Sequence, residues 1–279
     1  MLMPTPTPPP ATALVGRGFK SDVYAWGDGH VLKLFHAGTG RDNADREYLA
    51  TRAVHAAGLP APTAHEVVEV GGRWGVVFDR VDGPSLFEYV QARPWALPWA
   101  VRLLAALHAA IHRCAGPAEL PTLRERLAGK IDAADHPSAA ERDAARRRLA
   151  TLPDGTALCH GDFHPANVLM TARGPVVIDW EGATRGHPLG DVAVTSRLIR
   201  TAPVPPWAPW VAHLLLRGTR PLLSRRYLKH YFRLQPGMRR EVEAWQVPLA
   251  AAARVFADQP RAASEPRTER NGAQRSGAE

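Results

Sequence analysis

The hydrophobic pattern of the chain changes near residue 82, and this change limits the folds that the chain can adopt. Before it, short apolar runs alternate with glycine turns, a pattern typical of antiparallel hairpins in "GDGHVLKLF" and "AHEVVEVGGRWGVVFDRV". The intervening "RDNADREYLATRAVHAAG" has helical spacing and ends at Gly58. After "DGPSL", the stretch "PWAVRLLAALHAAIHRC" places apolar residues at helical intervals. The sequence therefore predicts an α+β chain, with a small β-rich part followed by a larger α-helical part.

We divide the chain into four segments on this basis. Residues 1–12 are rich in proline and are expected to be a disordered leader. Residues 13–81 form the β-rich lobe with its one helix, and residues 82–258 form the helical lobe, with a cleft between the two. The polar residues 259–279 are expected to be a disordered tail.

Composition narrows the classes of partner and compartment. Part of the formal net charge of +8 lies in the tail and in "ERDAARRRL", where no aromatic residues interleave with the arginines, so we expect no nucleic-acid partner. Cys114 and Cys159 form no CxxC pair, which supports neither a zinc site nor a disulfide framework and fits a reducing cytoplasm. No uninterrupted apolar run approaches the roughly 18 residues of a transmembrane helix, so no membrane partner is expected.

The segment "LCHGDFHPANVLM" carries the densest group of chemically active residues. His160, Asp162 and His164 resemble two imidazoles and a carboxylate around a hydrolytic metal ion. Alternatively, Asp162 accepts a hydroxyl proton in a loop that Pro165 keeps out of a helix, and the amide oxygen of Asn167 binds a hard cation such as Mg²⁺. The segment alone leaves both interpretations open.

Three further elements bear on this choice. In "GRGFKSDVY", Gly16, Gly18 and Ser21 allow a backbone to approach phosphate groups closely, although most glycine-rich hairpins are only turns.

The other two elements are charged. Lys33 in the strand "VLKLF" is by itself more typical of a solvent-exposed position, but Glu47 in the next helix is able to hold it as an ion pair. Asp179 ends the apolar strand "VVIDW", where a carboxylate is costly unless it is paired or bound to a cation. These elements are the parts of a phosphoryl-transfer site: a glycine-rich loop, a lysine paired with a glutamate, a base, and an amide and a carboxylate that bind a metal ion. Together they favour phosphoryl transfer over metal-dependent hydrolysis.

The segments "HGDFHPANVLM" and "VVIDWEGATRGHPLGDVA" resemble the catalytic and metal-binding segments of the aminoglycoside phosphotransferase and choline kinase-like family. "VLKLF", "REYLATRAVHAAGLPAPT", "FDRVDGPSL" and "LAALHAA" resemble its other blocks in the same order, so the resemblance spans residues of about 14–195. It implies the two-lobed protein-kinase-like fold, an ATP-dependent reaction and a requirement for Mg²⁺.

The resemblance also implies a role for individual residues. Asp162 matches the catalytic base, Asn167 and Asp179 match the Mg²⁺ ligands, and Asp191 matches an aspartate that braces the catalytic loop. His160 then becomes structural, and for His164 a structural role is favoured over a contact with the substrate. The residues expected to bind ATP, or another nucleoside triphosphate, are Gly16, Gly18, Ser21, Lys33, Glu47 and, through the backbone of the interlobe hinge, Phe78, Asp79 and Val81.

We therefore predict an enzyme that moves the γ-phosphate of ATP to a hydroxyl group of a small molecule or a peptide. The alternatives are a catalytically silent kinase-fold scaffold and, with less support, a metallohydrolase. The region after Arg200 has many arginines and few acids, which favours a neutral or anionic metabolite over a polycationic antibiotic as the acceptor. A biosynthetic peptide fits this charge balance as well.

Overall fold

The computed structural model describes residues 13–18, 20–202 and 210–253. The predicted leader, residues 1–12, and the predicted tail, residues 259–279, lie outside the described residues.

The first described part is a five-stranded antiparallel sheet with one helix against it. The strands are β1 (Leu14–Arg17), β2 (Ser21–Ala25), β3 (His30–Phe35), β4 (Ala64–Val70) and β5 (Arg73–Asp79), and the helix is α1 (Arg41–Ala56). The strands are ordered β1-β2-β3-β5-β4 in the sheet. Because α1 connects β3 to β4 and β5 lies between those strands, β3 occupies the middle of the sheet and β4 an edge.

The two faces of this sheet bury different residues, since successive side chains of a strand alternate between faces. Phe35, Val76 and Phe78 pack with Ala44 of α1 on one face. Leu32 and Val77 belong to a separate apolar cluster on the other face. Lys33 lies opposite Val76 in the register of β3 and β5, so it shares the face that α1 covers. This face is the roof of the cleft.

The second part is mostly helical within the described residues. Its helices are α2 (Leu86–Ala92), α3 (Leu97–Ile111), α4 (Leu123–Ala133), α5 (Ala139–Ala150), α6 (Pro188–Thr201), α7 (Trp210–Tyr231), α8 (Arg239–Ala244) and α9 (Gln246–Ala252). Four short strands, β6 (Ala157–Cys159), β7 (Val168–Thr171), β8 (Gly174–Val177) and β9 (Thr184–Gly186), pair as β6–β9 and β7–β8. The predicted α+β, two-lobed organisation is therefore present.

Pairing of these short strands places two loops side by side. One loop joins β6 to β7 and contains Asp162 and Asn167, and the other joins β8 to β9 and contains Asp179. Because β6 pairs with β9 and β7 with β8, both loops leave their strands at the same end. Ser85 and Thr122, each in a capping box, begin the neighbouring helices α2 and α4.

The segment between the lobes is bonded to the second lobe. Gly83 has a φ of 154°, and a Cβ atom there would lie 2.2 Å from the carbonyl oxygen of Met170, so only glycine fits. The N–H of Met170 donates to the carbonyl of Pro84 at 2.8 Å, and that of Val177 donates to Pro60 at 2.8 Å. These contacts fix the sheet above the two loops.

One stretch, Pro94–Ile111, has the length and hydropathy that a membrane span needs. It includes α3, which packs against α7, and Leu104, Ala105 and Ile111 of α3 belong to the main apolar core. A core helix meets the same criteria of length and composition, and this packing is that of a core helix.

Candidate active site

The two loops form the floor of the cleft and are bonded to each other. The side-chain amide of Asn167 donates from Nδ2 to the backbone carbonyl of Asp162 at 2.9 Å. The N–H of Ile178 donates to the carbonyl of Asn167 at 3.0 Å, which brings the following residue, Asp179, beside the first loop. Asn167 is buried, and none of the described residues donates to its Oδ1. Asp162, Asn167 and Asp179, all predicted site residues, thus lie together.

Asp179 has an unusual backbone conformation. Its φ of 66° and ψ of 62° are left-handed, and it is the only non-glycine residue with a positive φ among those that the structure describes. This conformation costs an aspartate of the order of 1–3 kcal/mol and is found at positions that the surrounding structure holds in place. It turns the carboxylate of Asp179 out of β8 toward the roof of the cleft.

Lys33 connects the roof to the floor. Its Nζ lies 2.8 Å from Oε1 of Glu47 in α1 and 2.6 Å from Oδ1 of Asp179. Only 8% of Lys33 and 1% of Glu47 are exposed, so the ion pair is shielded from water. The predicted residues Lys33, Glu47 and Asp179 therefore form one continuous charged group.

The pKa values of this group follow from burial and from the two carboxylates that share one ammonium. Burial lowers the pKa of Lys33, but Asp179 and Glu47 outweigh it and raise the pKa above the usual value. Burial raises the pKa of Glu47 to about 7, although Lys33 opposes this change. Burial also raises the pKa of Asp179, but the attraction of Lys33 is stronger and holds it below the usual value. Asp179 is therefore ionised at neutral pH.

Asp191 of α6 binds the backbone of the loop that contains Asp162. Its Oδ2 accepts from the N–H of His160 at 2.6 Å, and its Oδ1 accepts from the N–H of Gly161 at 2.9 Å. The Nε2 atoms of His108 in α3 and of His112, which caps the end of this helix, lie 3.0 Å and 3.3 Å from Oδ2. Burial raises the pKa of Asp191, but the two histidines outweigh it and hold this pKa well below its usual range. The bracing aspartate is thus an ionised, fully bonded group.

Two tyrosines of α7 complete this buried network. Nδ1 of His108 lies 2.6 Å from the hydroxyl of Tyr227, and Nδ1 of His112 lies 2.7 Å from that of Tyr231. Each imidazole therefore has a partner at both nitrogens, which agrees with a structural role for His108. Sequence reasoning missed His112 and both tyrosines. The i, i+4 spacing of the histidines was the available signal.

The histidines of the catalytic loop serve the backbone rather than a metal ion. His160 is fully buried, with Nε2 3.1 Å from the carbonyl of Ile178 and Nδ1 3.3 Å from the N–H of Asp162. His164 accepts from the N–H of Ala166 through Nδ1 at 3.2 Å, and its Nε2 lies 3.6 Å from Asp162. Both nitrogens of His160 are engaged, so a metal ion held by His160, Asp162 and His164 is not supported.

The glycine-rich turn closes the front of the cleft. The N–H of Gly18 donates to the carbonyl of Ser21 at 2.7 Å, and a Cβ atom at Gly18 would lie 2.9 Å from that oxygen. Gly16 lies in β1, where a Cβ atom would meet open space. Lys20, which sequence reasoning missed, reaches across the cleft and bonds Oε1 of Glu181 at 2.5 Å. Lys20 therefore ties the start of β2 to the segment that follows Asp179.

The predicted hinge residues divide between the two faces of the sheet. Phe78 is 6% exposed and packs on the face that α1 covers. Asp79 lies on the other face, and its carboxylate is 2.7 Å from Nε2 of His65, so its side chain does not enter the cleft. None of the described residues forms a hydrogen bond with the backbone of Val81.

A sheet lysine paired with a helix glutamate, above an Asp–Asn loop and a strand-end aspartate, defines a two-lobed phosphotransferase of the kinase type. The profile of the phosphotransferase enzyme family, APH, matches residues 12–228, and the chain belongs to this family. No curated protein sequence matches the chain. The expected family is thus confirmed, and the protein is a phosphotransferase that acts on hydroxyl groups.

Solved structures confirm the predicted fold class. An aminoglycoside-3'-phosphotransferase of type VIII superposes with a TM-score of 0.59 at 20% identity, covering 84% of this chain and 89% of that one. A choline/ethanolamine kinase family protein from Mesorhizobium loti gives a TM-score of 0.56 at 18% identity, covering 86% and 76%. An amicoumacin kinase in complex with AMP-PNP and Ca²⁺ gives 0.59 at 12% identity, covering 87% and 80%. At these identities the likeness concerns the fold alone.

Proposed function

We propose that this protein transfers the γ-phosphate of ATP, or of another nucleoside triphosphate, to a hydroxyl group of a small neutral or anionic acceptor. The observation that carries the proposal is the position of Lys33, which spans the cleft between Glu47 and Asp179 beside the Asp162 loop. An ammonium held in this way is fixed at the point where the phosphates of a nucleotide enter.

The nucleotide is held by the roof of the cleft. The backbone N–H and C=O of Val81, without partners among the described residues, would bind the edge of the base, and the apolar side chain of Phe78 would close the inner end of its pocket. Asp79 would contribute at most its backbone carbonyl, because its side chain faces away and its N–H donates to the carbonyl of Thr63 at 3.0 Å. Gly16, Gly18 and Ser21 would lie over the phosphates, and Lys33 would neutralise part of their charge.

The residues of the floor fit a magnesium ion. Asn167 Oδ1 accepts no hydrogen bond from a described residue, and Asp179 is an ionised carboxylate. Hard oxygen ligands of this kind suit Mg²⁺, which would offset the negative charge that develops on the phosphates during transfer. Asn167 and Asp179 would hold the ion, and Lys33 remains within reach of the same phosphate oxygens.

Asp162 is the residue that we assign as the base. Its carboxylate is about half exposed at 49% and lies 3.6 Å from His164, while its backbone is fixed by Asn167. The carboxylate accepts the proton of the acceptor hydroxyl as the hydroxyl oxygen bonds to the γ-phosphorus and the bond from phosphorus to the ADP oxygen breaks. His164, whose pKa is raised by Asp162 against the lowering effect of burial, stabilises the ionised carboxylate.

Cations around Asp162 support an anionic acceptor. Arg126 of α4 is half-buried and forms no ion pair or side-chain hydrogen bond with the residues that the structure describes. Burial and nearby Arg46 lower the pKa of Arg126, whereas Glu181 and Asp162 oppose this change. Burial and Arg126 also lower the pKa of Lys130, one turn along α4, to about 8. A carboxylate or phosphate on the acceptor would relieve this repulsion.

A screen of hydroxyl compounds tests both parts of the proposal. Purified protein is incubated with Mg²⁺-ATP and neutral, anionic or polycationic hydroxyl compounds, or with peptides containing serine or threonine. ADP release and ³¹P NMR detection of the phosphate ester report transfer. We expect acceptor-dependent ADP release with a neutral or anionic compound and none with Asp179→Asn. Mg²⁺-ATP binding without transfer to any acceptor would instead favour the catalytically silent alternative.

A paired substitution tests the choice of acceptor class. Arg126→Gln is expected to raise the KM of an anionic acceptor at least about tenfold, because it removes one charge-assisted contact. The KM of ATP should stay unchanged. Arg142→Gln, on the solvent-exposed helix α5, is the matched control and should alter neither value. Preferred turnover of a polycationic acceptor by the wild-type protein would contradict this part of the proposal.

A further inference from the structure

Three ligating side chains meet on the outer face of the β-rich lobe. His30 begins β3, Asp79 ends β5, and His65 lies near the start of β4. Because the strand order is β3-β5-β4, Asp79 stands between the two histidines. The register pairs His30 directly with Asp79, and an irregularity in β4 between Ala64 and Glu66 leaves His65 without a direct partner. His65 is therefore free to lean toward Asp79.

The distances in this group are close to those of a metal centre. Nε2 of His65 lies 2.7 Å from Oδ1 of Asp79, and Nε2 of His30 lies 3.9 Å from the same oxygen. One ligand atom from each residue lies within 4.8 Å of the other two. Ligands around a tetrahedral Zn²⁺ ion with bonds of about 2.0–2.1 Å are roughly 3.4 Å apart. Side-chain rotations that move the ligand atoms by about 1 Å would therefore bring all three to the separations found around a Zn²⁺ ion.

This partly exposed group differs from a second cluster of two histidines and an aspartate, which is buried. His108, His112 and Asp191 also lie close together, but their nitrogens and oxygens are occupied by tyrosine hydroxyls, backbone N–H groups and one another. In the outer group, each side chain is between about a third and a half exposed, at 38% for His30, 37% for His65 and 45% for Asp79. This exposure leaves room for the ion and for one further ligand, such as water.

The side chains of this group lie apart from the side chains assigned to phosphoryl transfer, although the backbone of Asp79 adjoins the proposed nucleotide site. Asp79 and His30 lie on the sheet face opposite to Lys33, whose side chain points toward α1. The imidazole nitrogens of this group also prefer different metal ions from the oxygens of Asn167 and Asp179. They suit Zn²⁺ and other first-row transition metals, whereas Mg²⁺ requires oxygen ligands.

We propose that His30, His65 and Asp79 bind a divalent transition-metal ion, of which Zn²⁺ is the best fit, on the outer face of the β-rich lobe. The ion would tie β3, β4 and β5 together where β5 ends, two residues before Val81. Metal binding would thereby stabilise the end of β5, from which the hinge begins.

The test uses the full-length protein after dialysis against a chelator. Isothermal titration with ZnCl₂ in excess MgCl₂ should show one Zn²⁺ bound with a Kd in the micromolar range or below, and the thermal midpoint should rise with the Zn²⁺ concentration. Co²⁺ in the same site should give the intense visible absorption of a four-coordinate ion. His30→Gln, His65→Gln and Asp79→Asn should each weaken Zn²⁺ binding at least tenfold.

A matched histidine in the same lobe provides the control. His36 lies 3.4 Å from Asp22 and forms a His–Asp pair without a second imidazole, so His36→Gln should leave Zn²⁺ binding unchanged. Asp179→Asn should also keep the Zn²⁺ site, which separates it from the proposed Mg²⁺ site. All three outer variants are at partly exposed positions, and circular dichroism verifies their fold. Absence of micromolar binding, or equal binding by His36→Gln, His30→Gln and His65→Gln, would overturn the proposal.

Discussion

At the scale of single residues, Asp179 and Lys33 form the least expected contact of the cleft. The spacing of Lys33 and Glu47 made an ion pair between them predictable, and the structure has that pair at 2.8 Å. The direct contact of Lys33 with Asp179 at 2.6 Å was not predictable. It depends on the left-handed backbone of Asp179, which no sequence pattern of an aspartate after an apolar strand indicates.

Two substitutions at Asp179 separate its charge from its conformation. Asp179→Asn and Asp179→Ala should both reduce phosphate transfer at least about 100-fold, because each removes the carboxylate assigned to Mg²⁺. Alanine tolerates left-handed backbone less well than asparagine, so Asp179→Ala should unfold more readily by about 1 kcal/mol. Steady-state kinetics and urea denaturation measure the two effects. Equal stability of the variants, or wild-type activity of either, would contradict this account.

At the scale of the elements, two glycines let the loops of the floor approach each other. Gly161 has a φ of 78°, and a Cβ atom there would lie 2.2 Å from the carbonyl oxygen of Gly182. A Cβ atom at Gly182 would lie 2.7 Å from the carbonyl oxygen of His160. The sequence shows both glycines, but not that they face each other, because the pairing of β6 with β9 is formed by strands of three residues without a periodic signal.

Gly161→Ala should therefore disturb the catalytic loop. The added methyl group meets backbone rather than a flexible side chain, so we expect a loss of roughly 1–3 kcal/mol in the free energy of unfolding and a fall in kcat. The matched control is Gly129→Ala in α4, where a Cβ atom meets open space and helix propensity improves stability by about 1 kcal/mol. Denaturation curves of the two variants that shift in the same direction would contradict the proposed contact.

The network beneath the loop joins α3, α6 and α7 and carries a predictable pH dependence. Burial, together with His112, lowers the pKa of His108 to about 4, against the opposing effect of Asp191. The unfolded chain binds a proton at His108 below its ordinary pKa of about 6.5, whereas the folded chain does so only near pH 4. The contribution of His108 to stability is therefore complete above pH 6.5 and decreases as the pH falls from 6.5 toward 4.

Comparison of the wild-type protein with His108→Gln isolates this effect from other titrating groups. The difference in unfolding free energy between the two proteins should shrink by up to about 1.4 kcal/mol for each pH unit below 6.5, and so by about 2 kcal/mol at pH 5. Urea denaturation at pH 7.5, 6.5 and 5 measures the difference. A difference that stays constant over this range would show that His108 does not titrate as the structure indicates.

At the scale of the whole molecule, charged contacts between the lobes define the cleft. Lys33 and Lys20 of the first lobe bond Asp179 and Glu181 of the second, and Arg46 lies 3.5 Å from the carbonyl of Glu181. The order of strands and helices was predictable from the change of periodicity near residue 82, and the fold class is confirmed. Which charged side chains face each other was not predictable, since such pairs are set by the packing of loops far apart in the sequence.

The charge class of the acceptor was predicted from one segment of the sequence, and it stays a prediction. Arginines after residue 200 led to the prediction of a neutral or anionic acceptor, whereas the cations that interact with Asp162, Arg126 and Lys130, belong to α4. The Arg126→Gln substitution therefore tests whether the acceptor is anionic.

The central claim is that Asp162 acts as the base in a cleft that binds Mg²⁺-ATP independently of it. The most direct test measures kcat with the preferred acceptor, together with the Kd of Mg²⁺-ATP, for the wild-type protein and Asp162→Asn. Loss of general-base catalysis predicts a fall in kcat of about 100-fold or more, with a Kd of Mg²⁺-ATP that changes less than about threefold. Transfer by Asp162→Asn at the wild-type rate, or loss of Mg²⁺-ATP binding by this variant, would contradict the claim.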